Sequence, residues 1–131
     1  MGAEDNGIIT FASPLSFAET LRRIEASLAA HGAAVFATID HRAAAAGVAL
    51  DLPPATVIVF GNPKVGTPLM TENLLTAIDL PSKVLVSEGV PGKVTVSLNG
   101  ARWLVRRHGL SAAFITRMAP LEKLIRDAVT G

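Results

Sequence analysis

Two strand-like runs close together near residue 90 constrain the fold more than any other feature. Lys83–Ser87 and Lys93–Leu98 are rich in β-branched residues, and the turn-forming letters EGVPG separate them. So short a connection suits a hairpin of antiparallel strands, because parallel strands need a crossover of about a dozen residues or more. We therefore expect an antiparallel hairpin at this point.

Three other runs also have the composition of strands. Ile8–Ala12 and Ala33–Asp40 are short and apolar, and Thr56–Phe60 has the strongest strand pattern of the chain. Few helical patterns lie between these runs, so the number of crossover helices is small. The element order therefore predicts an α+β fold, with a mostly antiparallel sheet and helices packed mainly on one face.

The two longest helical patterns lie near the two ends of the chain. Ser16, with Glu19 three residues later, is typical of a capping box, and Gly32 is expected to end the first helix in a left-handed conformation. The second pattern, Ser111–Val129, keeps helical phase across Pro120, which predicts one kinked helix with Ser111 as its N-cap.

Length and composition exclude several classes of protein. The chain has 131 residues, no cysteine and a formal charge of +1. We expect a single domain over residues 1–131, with residues 1–7 disordered, in the reducing cytoplasm. Its apolar runs are of strand length, so no membrane association is expected, and the balanced charge argues against nucleic-acid binding.

The segment FGNPKVGTPLM, residues 60–70, resembles a phosphate-binding loop but lacks its chemistry. A triphosphatase loop needs Lys directly after the second Gly, whereas here Thr67 follows Gly66 and Lys64 lies inside the loop. The sequence instead predicts a helix with Thr67 as N-cap and Pro68 as its first residue, and the helical period continues through Leu74 and Ile78 on the buried face.

The same loop is a candidate ligand site. A helix N-terminus attracts anions, and Gly66 and Thr67 would supply amides there, with Lys64 and the Asn62 side chain nearby. The alternative is that the Gly and Pro residues only shape a tight turn between a strand and a helix.

Asp40 and His41, at the end of a strand, form a second candidate for a binding or acid–base site. The alternative role for Asp40 is to cap a short helix. No metal-ligand spacing is recognisable, and we expect no metal and no cofactor. Arg106 and His108 are a secondary candidate for anion binding, although cations in the last turn of a helix also complement its dipole.

FGNPKVGTPLM, together with the preceding IDHRAAAAGVALDLPPATVIV, the following AIDLPSKVLV and the later WLVRRHGL, resembles the domain of unknown function 302 family over roughly residues 15–110. Residues 111–130 would then add a C-terminal helix. The resemblance implies a layered α+β fold like that of the TATA-binding protein, with an Asp-His pair that Asp40 and His41 match, and no established activity.

The sequence leaves three functions open. The leading hypothesis is a non-catalytic domain that binds a small molecule or anion and self-associates. The others are a small hydrolytic or metal-assisted enzyme that uses Asp40, His41 and Lys64, and a protein-interaction module. We expect a homodimer because Val57–Phe60 and Val84–Val86 are apolar on both faces. The alternative is that the C-terminal helix covers the second face of the sheet.

Overall fold

The computed structural model describes residues 6–131, so most of the N-terminal segment that we expected to be disordered lies outside the described residues. The fold is α+β, as expected, and one five-stranded sheet forms its centre. The strands are β1 (Ile8–Ala12), β2 (Ala34–Asp40), β3 (Ala55–Gly61), β4 (Ser82–Val90) and β5 (Lys93–Asn99).

All neighbouring strands are antiparallel, in the order β1-β5-β4-β3-β2. The hairpin of β4 and β5 is confirmed, with Val84 opposite Leu98, although β4 continues beyond the expected Ser87 to Val90. Gly92 closes the turn at φ +83°, a conformation that glycine adopts without strain, and its amide donates to the Glu88 carboxylate.

Helices connect the strands or follow the sheet. They are α1 (Phe17–Ala30), α2 (His41–Ala46), α3 (Pro63–Glu72), a 3₁₀ helix (Leu74–Asp79), α4 (Ala101–His108) and α5 (Ala113–Thr130). As expected, α5 is continuous through Pro120.

The main core lies between one face of the sheet and the helices α1 and α5. Ile24 of α1 and Ile125 of α5 belong to the same buried cluster as Ile58 of β3. The alternative in which α5 covers the second face is therefore wrong, because α5 packs beside α1. A second, smaller cluster joins α3, α4 and α5 through Leu69, Leu104, Val105, Leu110 and Phe114.

The opposite sheet face, which we call the outer face, has an apolar half and a polar half. Its apolar half consists of Ile39, Val57, Val59 and Leu85, all only partly buried or exposed. The polar half carries cross-strand hydroxyl pairs, with Thr10 Oγ1 to Ser97 Oγ at 2.9 Å as one example.

The expected start of α3 at Thr67 is wrong. Its N-cap is Asn62 and its first residue is Pro63, so Gly66, Thr67 and Pro68 lie inside the helix. An Asn followed by Pro is an equally good start signal, and it occurs directly after β3.

The helix after β3 also ends sooner than its periodicity predicts. α3 stops at Glu72, and Asn73 then caps the separate 3₁₀ helix by accepting from the amide of Leu75. Because the phase changes at this break, Leu74 and Ile78, expected to be buried, are 76% and 73% exposed.

The start of α1 is capped by Ser16, whose Oγ accepts from the Glu19 amide. The Glu19 carboxylate does not complete a capping box but bonds Arg22 and Arg23. Hydrogen bonds from Arg22 and then Arg23 lower the pKa of Glu19 from 4.5 to about 2. This interaction therefore favours the folded state above pH 4.5 and is lost as the pH falls towards 2.

The start of α5 differs from the sequence expectation. Ala112, not Ser111, is the N-cap, and no side chain of the described part of the chain caps this helix. The amide and hydroxyl of Ser111 instead both donate to Glu72 Oε1, at 2.6 and 2.8 Å, and so join α5 to the end of α3.

Candidate functional site

The two main groups of candidate residues lie at opposite ends of the sheet. Asp40 pairs with Thr56 at the beginning of β3, whereas Asn62 directly follows the end of that strand. The seven residues of β3 span about 20 Å, at roughly 3.3 Å per residue. The structure therefore does not bring Asp40 and His41 together with Asn62 and Lys64.

Asp40 has the structural role that we considered as the alternative. Its Oδ1 accepts from the Ala43 amide at 2.9 Å and caps α2, and both Asp40 and the following His41 are exposed. Within residues 6–131, no three side chains of His, Asp or Glu are grouped so as to hold a metal ion.

The amides of the glycine-rich loop are already used within the chain. The amide of Lys64 donates to Asn62 Oδ1 at 3.0 Å, and those of Val65 and Gly66 donate to the Asn62 carbonyl. Because α3 starts earlier than expected, the first helical turn thus satisfies its own donors. The predicted cradle of backbone amides around an anion is not formed.

The secondary pair of candidates is divided between surface and interior. Arg106 is exposed, whereas His108 is buried and its Nε2 lies 2.6 Å from Asp79 Oδ2. Asn73 Nδ2 also donates to the His108 carbonyl at 2.9 Å. His108 therefore joins α4 to the 3₁₀ helix. The cavity beside Asp79 is only ≈30 Å³, about the volume of one water molecule.

Two adjacent cavities lie between the end of β3, α3 and α5, and we call them together the groove. The larger cavity, the α5 lobe, has a volume of ≈450 Å³, and the smaller one, the α3 lobe, ≈310 Å³. Both volumes are within the usual size of small-molecule sites, about 300–1,000 Å³. Residues common to both lobes are Gly61, Asn62, Val65, Ser82 and Met118.

The groove contains three of the four loop candidates. Asn62, Gly66 and Thr67 line the α3 lobe, but Lys64 lines neither lobe. Most of the lining is apolar, and the floor of the α5 lobe includes Phe60 of the main core. Other apolar members of the lining are Leu28, Phe36, Leu69, Met70, Leu80, Leu121 and Leu124.

The polar rim of the α5 lobe carries one cation without a carboxylate partner among the described residues. Lys123 pairs with Asp127 at 2.5 Å, and His31 Nδ1 bonds the Ser27 carbonyl at 2.8 Å. No carboxylate oxygen within residues 6–131 lies within 4.0 Å of the Arg117 guanidinium, which is 5.5 Å from the centre of the Phe114 ring. The groove therefore has an apolar interior and one positive group available at its edge.

Arg117 was not among the residues expected at a site, although the sequence contains a signal for it. Lys123 and Arg126 of α5 each have a carboxylate four residues away on the same helix, in Asp127 and Glu122. Arg117 has no acidic residue at three or four positions in either direction. The lack of an acidic partner on its own helix could therefore have been read from the sequence, but its place beside the end of β3 could not.

A larger cavity of ≈600 Å³ lies near the other end of β3, at the loop that follows α2. Its lining includes Leu50 and Leu52, which are 64% and 40% exposed. We regard this cavity as an open surface depression, because none of its described lining residues is buried, whereas Leu28, Phe60 and Leu69 of the groove are buried. The groove is the better candidate site.

Two curated relatives with similar sequences are proteins of Brucella. The chain is 42% identical over 106 residues to a protein of Brucella suis named "Fluoride-specific ion channel FluC 1", and equally so to one of the same name from Brucella abortus. The match covers 81% of this chain but only 42% and 39% of those proteins. The chain thus corresponds to about two fifths of their length. None of the described helices of this chain is long and apolar enough to span a bilayer.

A solved structure and a family model both match nearly the whole chain. The crystal structure of an uncharacterised conserved protein from Bacillus stearothermophilus, assigned to DUF302, superposes with a TM-score of 0.79, covering 94% of this chain and 95% of that one. At 23% identity it shows a shared fold. The model of "Domain of unknown function DUF302" matches residues 9–129, a longer region than the motifs alone indicated. The chain therefore belongs to the DUF302 family.

Proposed function

We propose that this chain is a non-catalytic domain that binds a small, largely apolar molecule in the groove between β3, α3 and α5. The observation that carries the proposal is the pair of adjacent cavities, ≈450 and ≈310 Å³, with mostly apolar walls and a few polar groups at the edge. This is the usual composition of small-molecule sites. The loop that carries the family resemblance forms one wall of these cavities.

The titratable groups of the rim support binding rather than catalysis. His31 and Asp127 are exposed, and each already has a hydrogen-bond partner within the chain, in the Ser27 carbonyl and the Lys123 ammonium. The buried His108–Asp79 pair lines neither lobe. All titratable side chains that the structure places in the lining are therefore exposed, and the buried acid–base pair of the described residues lies outside the groove.

A thermal-shift measurement tests this function. We expect small apolar compounds to raise the melting temperature, because a ligand that binds only the folded state stabilises it by about 2.7 kcal/mol at one hundred times its Kd. Val65→Trp, which fills the region shared by the two lobes, should abolish the shift. Val90→Trp is the matched control, since Val90 is an exposed valine at the β4–β5 turn, 58% accessible.

The same measurement includes inorganic anions and divalent cations. Fluoride belongs among the anions because of the names of the Brucella relatives, with chloride as its control. A shift with divalent cations alone would contradict the proposal and favour an enzyme. If no compound shifts the melting temperature, the proposal fails and a protein-interaction module becomes the better explanation.

Self-association is the second part of the proposal, and the outer face of the sheet supports it. The apolar half formed by Ile39, Val57, Val59 and Leu85 is not covered by α1 or α5, which pack on the other face. Beside it, every residue of the edge strand β2 is exposed. A two-fold axis through this region would place apolar surface against the same surface of a second copy.

We expect light scattering at micromolar concentration to give twice the chain mass of 13.6 kDa. Val59→Lys should convert the dimer to monomer, because it places a charge in the middle of the apolar half. Val90→Lys is the control, with the same substitution at the hairpin turn. A monomer mass for the wild-type chain would overturn the dimer. The cytoplasmic location stays a prediction.

A further inference from the structure

The α5 lobe has room for an apolar chain, and its polar groups lie at the edge. Leu28 and Phe60, which are 0% and 2% exposed, place part of the main core at the lobe. Leu121 and Leu124 of α5 add further apolar surface. Each methylene group transferred from water into such surroundings gains about 0.8 kcal/mol. A ligand that fills this lobe is therefore expected to have an aliphatic or aromatic body.

The charge at the edge determines which head group fits that body. Lys123 and Asp127 neutralise each other, so the Arg117 guanidinium gives the lining one net positive charge. A guanidinium donates two parallel hydrogen bonds to a carboxylate, the planar anion that matches its shape. One unpaired cation balances a monoanion, whereas a phosphate dianion would leave charge uncompensated.

We infer that the ligand of the groove is a small amphipathic carboxylate, with its apolar body in the α5 lobe and its carboxylate on Arg117. This inference rests on the proposed function, because it specifies the chemical class of the molecule that the same groove binds. It moves the anion-binding group from the loop amides, which are satisfied by Asn62, to a side chain of α5.

Titration calorimetry with three ligands of equal chain length tests the head group. The ligands are octanoate, 1-octanol and octylammonium, which carry a negative, a neutral and a positive head. We expect octanoate to bind about tenfold more tightly than octanol, the factor that corresponds to 1.4 kcal/mol and to a typical charge-assisted hydrogen bond. Octylammonium should bind most weakly, and the preference for octanoate should decrease as salt is added.

Two variants locate the head group. Arg117→Gln should lower the affinity for octanoate about tenfold and leave that for octanol unchanged. Asn62→Asp should also weaken octanoate selectively, since aspartate still caps α3 but adds a negative charge to the lining. Arg102→Gln is the matched control, because Arg102 is an exposed arginine on α4 that does not line the groove.

The outcomes separate the two proposals. If octanoate and octanol bind equally well, or if Arg117→Gln and Arg102→Gln have the same effect, the carboxylate assignment is overturned while the binding function remains. If none of the three ligands binds but other apolar compounds raise the melting temperature, the assignment is again overturned. If nothing binds to the groove at all, both proposals fail.

Discussion

Replacing Gly7 with alanine is expected to lower the free energy of unfolding by roughly 2–4 kcal/mol. A Cβ at this position would overlap both Cγ and Cβ of Trp103. Gly7 also has φ +81°, a conformation in which L side chains are strained. Its carbonyl accepts from the Gly100 amide at 2.7 Å, so the displacement would also disturb the start of α4.

Urea denaturation measures this effect against Gly89→Ala. Gly89 lies in β4, where a Cβ would meet no other part of residues 6–131 within 4 Å, and its φ is not positive. Gly89→Ala should therefore lower the free energy of unfolding by less than about 0.5 kcal/mol. The double variant Gly7→Ala with Trp103→Ala should show a smaller additional loss from the Gly7 change, since the overlap with the indole ring is removed and only that with the Cβ of residue 103 remains. Equal effects of Gly7→Ala and Gly89→Ala would contradict the contact.

Truncating Ile58 to alanine is the other change with a large expected effect, about 3–4 kcal/mol of unfolding free energy. Ile58 is fully buried in the main core between the sheet and the helices α1 and α5. Its removal leaves a cavity in the middle of the central layer, which the paired strands on both sides prevent from collapsing. The same urea denaturation measures the loss.

Val59→Ala is the natural control, because the next residue on β3 points to the outer face. Because Val59 is only partly buried there, its truncation should lower the monomer's free energy of unfolding by only about 1 kcal/mol. If Val59→Ala costs as much as Ile58→Ala at a concentration where light scattering shows a monomer, then the outer face is covered within the chain. That result would contradict an arrangement in which α1 and α5 share one face of the sheet.

The sequence predicted the strands well because each is a run of β-branched or aromatic residues bounded by glycine, proline or polar residues. It failed where two signals compete over a few residues. Asn62-Pro63 and Thr67-Pro68 are both valid helix starts, and only packing decides between them. Similarly, one helical period through Leu74 and Ile78 cannot reveal that Asn73 ends one helix and caps another.

The groove could not be predicted, because it depends on which segments meet in space. Its walls come from β3, α3 and α5, and residues such as Asn62 and Arg117 are far apart in the sequence. From the sequence, we grouped candidate residues that follow the ends of strands, and so we placed Asp40 and Lys64 in one possible site. In an antiparallel sheet, however, the end of one strand lies beside the beginning of the next.

The pairing of the first strand with the last has a consequence for how the chain folds. Ile8 lies opposite Asn99, and Phe11 opposite Val96, so β1 cannot take its place until β5 has been synthesised. Closing so long a loop costs chain entropy, which contacts between residues close in the sequence do not offset. Contacts between residues far apart in the sequence therefore slow folding. On the ribosome, the hairpin of β2 and β3 with its short helix can form early. β1 has no strand partner in the nascent chain until β5 is available, and we expect its pairing with β5 to be among the last steps of folding.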